Sequence, residues 1–475
     1  MPLHAFRQSL ATENPMDDIA AGLIGEGRMI PGLEREVPLI YADYIASGRA
    51  LAQVEDFVRD QVLPFYANTH TEASFTGAHT TALREAARRE IARLTGASDD
   101  HAVIFSGSGA TSGLNRLVSL FAVNQAARPV VFVGPYEHHS NLLPWRESRA
   151  EVVEIPEGEA GGPDLAALAE ALAQHADSDL KIGAFSAASN VTGILTDPDP
   201  VTRILHQNGA LSVWDYAGGG PYLPISMGAG DTAKDAIVVS PHKFAGGPGA
   251  SGVLIVRKGA VRIDRPSQPG GGTVAFVSPW RQDYLEDLVA REEAGTPGIV
   301  GDIRAGLVFL VKEAAGEAEI HRREERWRAL AEAAWRDHPR LTILGLGKAP
   351  RLPFFSLLVR DAAGAPVPPA LFTTMLSDLY GIQSRGGCAC AGPYGHRLLK
   401  IDRARSEEIH GEIMRGEMIH KPGWVRLNLS WLMDEAKLRY IIESVDELAR
   451  NVEAQAARYR WDGATGRFVP AAGAA

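Results

Sequence analysis

The stretch AIVVSPHKFAGGPGASGVLIVRKG, Ala236–Gly259, decides the fold class. Two apolar, β-branched runs flank a linker, Phe244–Ala250, that is too rich in glycine to be helical and too short for a crossover helix. The two runs are therefore expected to pair as antiparallel strands. Working outward, the chain from about residue 100 to 257 alternates short apolar runs with segments of helical period. The runs are HAVIFSG, PVVFVGP, AEVVEIP, LKIGAFSAAS, ALSVWDYAG, AIVVSPHK and SGVLIVRKG. Several are apolar on both faces, as strands sandwiched between helix layers must be, and segments such as PDLAALAEALAQHA lie between many of them. The expectation is an α/β domain with a mixed, mostly parallel seven-stranded sheet.

After about residue 300 the texture changes. IRAGLVFLVKEAAGEAEIHRREERWRALAEAAW reads as one long helix, followed by isolated strands in RLPFFSLLVRD and WVRLNLSW and an amphipathic helix from about Met433 to Arg458. This predicts a large α/β domain over 38–305 and a smaller α+β domain built from 1–37 and 306–475. The Ala/Gly-rich tail after Trp461 is expected to fray.

Bulk properties narrow the function. At 475 residues the chain is long enough for two cores. A formal net charge of −10 argues against a general binder of nucleic acid or anionic membranes, which would repel it at long range. Small substrates are the expected partners. The two cysteines, Cys388 and Cys390, form no disulfide framework, and no run of eighteen apolar residues occurs, so a reducing, cytoplasmic setting is expected.

In an open α/β sheet, ligands bind beyond the carboxyl ends of the strands, so the residues there carry the functional information. The first run leads into SGSGATSGLN, a glycine-rich turn opening a helix at Ala110 and Thr111, whose free N–H groups suit a phosphate. Further ends carry His138 and His139, then Ser189 and Asn190, then Asp215, then Ser240, His242 and Lys243. Any one of these has an ordinary structural use. Together, a phosphate turn, a stacking ring, an amide, a carboxylate and an amine are what an anionic, pyridine-containing aldehyde cofactor requires, and pyridoxal phosphate has those parts.

The ordered set YADYIASGRAL, SGSGATSGLN, EHHSNLLPW, ASNVTG, WDYAGG, SPHK, EAGTP and RGGCAC resembles the class V aminotransferase-like enzymes of fold type I, in particular the cysteine desulfurase and selenocysteine lyase branch. The match runs from about Tyr41 to Ser430. It implies that Lys243 forms the Schiff base with pyridoxal phosphate, Asp215 pairs with the ring nitrogen, His138 stacks on the ring and Asn190 approaches the phenolic oxygen. It also implies that Ala110, Thr111, Ser240 and His242 hold the phosphate, with Thr296 reaching in from a second subunit of a homodimer. Arg426 matches the arginine that grips the substrate carboxylate, and Arg385 a second arginine nearby.

Cys390 stands where the resemblance places the nucleophile that takes sulfur or selenium from cysteine or selenocysteine, leaving alanine and an enzyme persulfide that a sulfur-acceptor protein would receive. Cys388 admits three uses: relaying sulfur, resolving a disulfide, or lining the loop. Metal binding by the two cysteines with His396 has little to support it, since no further cysteine exists. Three features depart from the family pattern: Gly218 replaces a glutamine after Asp215, residues 391–425 form a long insertion, and the segment before Tyr41 is long. The competing reading keeps the cofactor but changes the reaction to a C–S lyase, epimerase or aminotransferase that needs no cysteine.

Overall fold

A computed structural model describes residues 2–69, 72–347, 349–417, 419 and 421–471. Contacts divide the chain into two compact units. The larger comprises Met1–Ile24, Ser47–Ala188 and Thr196–Glu319, and the smaller Gly25–Ala46, Ser189–Leu195 and Ile320–Ala475.

All seven apolar runs of the larger unit are strands: β1 (His101–Gly107), β2 (Pro129–Val133), β3 (Glu151–Glu154), β4 (Leu180–Ser186), β5 (Leu211–Asp215), β6 (Ala236–Val239) and β7 (Gly252–Arg257). They form one sheet in the order β1-β7-β6-β5-β4-β2-β3. The neighbours β6, β5, β4, β2 and β3 run parallel. The strand β7 is antiparallel to both β6 and β1, so the glycine-rich linker creates one antiparallel pair and the sheet edge adds another. Every residue of β6 is buried, which is why it reads as a run with no polar alternation.

Two helices position the chemistry. Helix α1 (Phe75–Thr95) is capped by the Ser74 side chain at one end and by left-handed Gly96 at the other. Helix α2 (Gly109–Leu120) opens directly after β1, and its Leu114 and Leu117 pack in the core with Ile104, Val238 and Leu254. A Cβ on Gly113 would come within 2.8 Å of Val238, so the glycine lets α2 lie close on the sheet.

The boundaries differ from the expected 37/38 and 305/306 divisions. The first 24 residues belong to the larger unit, because the short helix Pro2–Ser9 buries Leu3 and Phe6, with Phe6 edge-on to Phe57, and Arg7 pairs with Glu313. The predicted long helix is two, Ile299–Ala315 and Glu317–Trp335, broken at Gly316, whose φ of 81° ends the first. The helix expected over Met433–Arg458 runs from Glu435 to Arg450, started by the Asp434 cap, with a short further turn at Val452–Ala456.

The smaller unit holds a four-stranded antiparallel sheet of β8 (Leu341–Ile343), β9 (Phe354–Val359), β10 (Arg385–Gly387) and β11 (Trp424–Asn428) in the order β8-β9-β11-β10. The insertion contributes the helices Gly392–Leu398 and Arg403–Met414. The tail does not fray after Trp461. Tyr459–Asp462 and Arg467–Pro470 pair as a hairpin, because Asp462 accepts from Ala464 N and Thr465 Oγ1 and left-handed Gly466 closes the turn. Ala472–Ala475 lie outside the described residues.

Candidate active site

The larger unit gathers one cluster at its strand ends. The β1–α2 turn carries left-handed Gly107 and Gly109, with φ of 88° and 59°. A Cβ at Gly109 would stand 2.8 Å from His242 Cε1 and 2.9 Å from Ser240 Oγ. The glycine thus lets the α2 N-terminus lie close against the end of β6. Ala110 N–H donates to Ser240 Oγ at 2.9 Å, tying the two turns together. Thr111 Oγ1 lies 2.7 Å from Ser140 Oγ, and Ser140 Oγ lies 3.0 Å from His138 Nδ1. Ser140 N–H donates to the same Nδ1 at 3.1 Å, so the proton of the neutral ring sits on Nε2 and the ring's orientation is fixed.

Lys243 ends a single 3₁₀ turn, Pro241–Lys243, that follows β6. Gly48 N–H donates to His242 O at 2.9 Å, and a Cβ on Gly48 would strike Phe244 O, so a second segment lies flat against this turn. Burial and then the Lys243 charge pull His242 down to about 4. Asp215, buried at the end of β5, is raised by burial, which Ala217 N–H at 2.7 Å and Lys243 only partly oppose. A buried carboxylate in that state calls for a cationic donor. Next to His138, Glu137 is fully buried and pushed up to about 7 by burial, against hydrogen bonds from Ser186 Oγ at 2.6 Å, Asn141 Nδ2 at 2.5 Å and Ser186 N at 2.9 Å.

Thr296 is exposed, 3.4 Å from Asn68 Nδ2. Its loop is anchored by Glu293, which accepts from Phe105 N and pairs with Arg84 and Arg88. Burial would raise Glu293, but the two guanidiniums outweigh it and hold the carboxyl below its usual range.

The smaller unit gathers a second cluster. Arg385 on β10 and Arg426 on β11 stand directly opposite in register. Asp43 bridges them, accepting from Arg385 Nε at 2.9 Å and Arg426 Nη2 at 2.8 Å. Arg426 is buried, which pulls its pKa down against the Asp43 charge, and its Nη1 donates to Asn190 O at 3.1 Å. Its Nε is buried without a partner among the described residues, as is Asn190 Oδ1.

Asn190, expected beside a phenolic oxygen, has a different observed use: its amide donates to Ala389 O at 2.7 Å. Ala389 and Cys390 form the corner of a four-residue turn closed by Ala391 N–H to Cys388 O at 3.2 Å, with φ of 50° and 55°. Two successive non-glycine residues in the left-handed region cost about 1–2 kcal/mol each. Cys390 is exposed and Cys388 half-buried. Both line a cavity of about 340 Å³ with Arg385, Lys421, Trp461 and Phe468. His396 binds Gly392 O and Ser406 Oγ instead, pinning the two insertion helices. No cluster of three or more metal-ligating side chains exists among the described residues.

Three residues were not singled out from sequence: Asp43, Glu137 and Ser140. Asp43 had a signal, a carboxylate closing the apolar run PLIYAD. Glu137 and Ser140 flank the two histidines of EHHSN, but Ser186 and Thr111, which they meet, are distant in sequence.

The Aminotransferase class-V family model matches residues 40–406, most of the chain. The chain belongs to this family. Among curated proteins, it is 28% identical over 374 residues to a probable cysteine desulfurase of Halalkalibacterium halodurans, covering 77% of this chain and 88% of that one. A probable cysteine desulfurase of Vibrio cholerae is 29% identical over 376 residues, covering 76% and 88%. Two solved structures share the class V fold. The cysteine desulfurase of Thermococcus onnurineus NA1 superposes with a TM-score of 0.70 at 22% identity, covering 86% of this chain and 94% of that one. The Escherichia coli cysteine desulfurase CsdA gives 0.69 at 22%, covering 91% and 98%. The C-terminal hairpin that lines the cysteine cavity lies beyond the family match.

Proposed function

We propose that this class V chain is a pyridoxal-phosphate-dependent cysteine desulfurase that takes sulfur, or selenium, from cysteine or selenocysteine and releases alanine. The observation that carries this reading is Cys390, an exposed thiol on a strained turn beside Arg385 and Lys421, in a chain that also offers Lys243 and Asp215 at strand ends.

The larger unit's cluster fits the cofactor. Ser240, Thr111, His242 and the α2 N-terminus at Ala110 come together where the β1–α2 turn meets the end of β6 and would supply donors to a phosphate. Asp215 is the partner for a protonated ring nitrogen, and the fixed ring of His138 offers a stacking face. When bound, pyridoxal phosphate supplies an aldehyde for the substrate amine and an electron sink for charge at the α carbon. Lys243 is the amine that anchors it and the group that moves the α proton. Thr296, on an anchored but exposed loop, would serve a second copy of the chain in a homodimer.

In the smaller unit, Arg426 has an unpaired Nε for a substrate carboxylate, with Arg385 beside it and Asp43 as the counter-charge that orients both. The Cys390 thiolate attacks the substrate sulfur, and a persulfide remains on the enzyme. An acceptor protein would then take the sulfur. Among the described residues no helix is long and apolar enough to cross a membrane; a cytoplasmic setting stays part of the proposal.

The test is alanine formation from L-cysteine and L-selenocysteine by the wild type and by Cys390→Ser. The variant should lose alanine formation from cysteine by about 10²-fold or more, because a hydroxyl is a poor nucleophile toward divalent sulfur. Undiminished alanine formation would remove Cys390 as the nucleophile, and pyruvate in place of alanine, in the wild type and in both single serine variants, Cys388→Ser and Cys390→Ser, would hand the case to a cysteine-independent C–S lyase.

A further inference from the structure

The proposed desulfurase reading needs one thiol, and the structure holds two in one turn. Cys388 and Cys390 are the first and third residues of the turn closed by Ala391 N–H to Cys388 O. In an extended strand, residues two apart share a face but stand about 6.4–6.8 Å apart, at the far limit of what a disulfide spans. Here the left-handed φ of 50° at Ala389 folds the chain back, which brings such Cα atoms to about 5.5 Å, inside the span of roughly 4.4–6.8 Å that a disulfide bridges. Both cysteines line the same cavity, together with Arg385 and Lys421. The Asn190 amide holds the peptide between the two cysteines through Ala389 O.

We propose that Cys388 is a resolving thiol for the Cys390 persulfide; the step rests on the desulfurase reading. The Cys388 thiolate attacks the inner sulfur of the persulfide. A Cys388–Cys390 Sγ–Sγ bond forms, the bond to the outer sulfur breaks, and that sulfur leaves with the electron pair as hydrosulfide. The two thiols are oxidised to a disulfide and together supply the two electrons that reduce the transferred sulfur. An external thiol or dithiol reductant resets the pair. Where no acceptor protein takes the outer sulfur first, the enzyme thereby releases it as sulfide, and the oxidised pair stops further turnover until it is reduced.

The experiment gives anaerobic, reductant-free holoenzyme one equivalent of L-cysteine per site and measures alanine, sulfide and the mass of the tryptic peptide Gly386–Arg397. Wild type should release sulfide in proportion to alanine and yield a peptide lighter by two hydrogens. Cys388→Ser should retain the added sulfur on Cys390 and release roughly tenfold less sulfide. Retention of the added sulfur on Cys390 in wild type, or its transfer to Cys388 as a second persulfide, would overturn the proposal. A second arm separates the two readings by loading Cys390 with inorganic polysulfide in place of cysteine. Sulfide release with disulfide formation in wild type but not in Cys388→Ser would uphold the resolving step even if no alanine forms from cysteine. Persistence of the persulfide in that arm would refute the step whatever the first arm shows. Retained visible absorption of the cofactor in Cys388→Ser checks that the variant is folded.

Discussion

The strand-end cluster of the larger unit and the cysteine turn of the smaller one both depend on left-handed backbone, yet only the first uses glycine to reach it. Gly107 and Gly109 take φ of 88° and 59° at no steric cost, and the missing side chain at Gly109 is also what lets the backbone approach His242 and Ser240 closely. Ala389 and Cys390 take φ of 50° and 55° with their Cβ atoms in place, so that turn is held by its surroundings, the Asn190 amide among them. A binding cradle has to keep one shape, and glycine gives it that shape without strain. A turn that must present a thiol and then let its chain rearrange gains from a backbone that is not at its own minimum.

The comparison can be tested through the support of each region. The largest effect is expected at Asp43, whose loss leaves Arg385 and a buried Arg426 facing each other without a counter-charge. Asp43→Ala should cost about 3 kcal/mol of stability by denaturant unfolding, and Asp43→Asn less. No loss in Asp43→Ala would mean the pair does not organise this cluster.

The next effect is pH-dependent and belongs to the cradle. Burial, followed by the Lys243 charge, pulls His242 down to about 4 in the folded chain. Between about pH 6.5 and 4 the unfolded chain therefore binds more protons, so stability from this residue is full above about 6.5 and is lost as pH falls. The loss in cofactor-free protein should approach about 2 kcal/mol by pH 4, allowing for partial solvent screening. His242→Gln should flatten that part of the profile, and inorganic phosphate should be bound with proton uptake. An unchanged profile in the variant would remove His242 from the cradle's electrostatics.

The smallest effects have opposite signs. Gly109→Ala should destabilise by about 1–2 kcal/mol and weaken phosphate binding, since its Cβ meets His242 and Ser240 and its φ is 59°. Ala389→Gly should stabilise by about 0.5–1 kcal/mol, because relief of the left-handed strain exceeds the added freedom of the unfolded chain. Equal signs in the two variants would erase the contrast between the regions.

These regions were not equally legible in the sequence. The sheet could be read because strands buried on both faces leave apolar runs, and its strand-end residues stand in chain order, so His138, Asp215 and Lys243 could be read together as one set. What could not be read depends on distant pairing. Asp43 meets partners 342 and 383 residues away, and Asn190 meets Ala389 from 199 residues away. The first 24 residues show only two short amphipathic helices, whose place is decided by contacts such as Phe6 with Phe57. Gly316 was visible inside a helical pattern, but a single glycine is tolerated often enough that periodicity overrode it. The Asp462 turn of the C-terminal hairpin was hidden by the composition around it.

The central claim is that the strand-end cluster of the larger unit anchors an aldehyde cofactor through one particular amine. Borohydride reduction of the purified holoenzyme, followed by peptide mapping, tests it most directly. The account predicts a stable pyridoxyl label on Lys243, retained in Cys390→Ser because that variant leaves the anchoring amine untouched. A label on Lys234 or Lys258 instead, or none on any lysine, would contradict it.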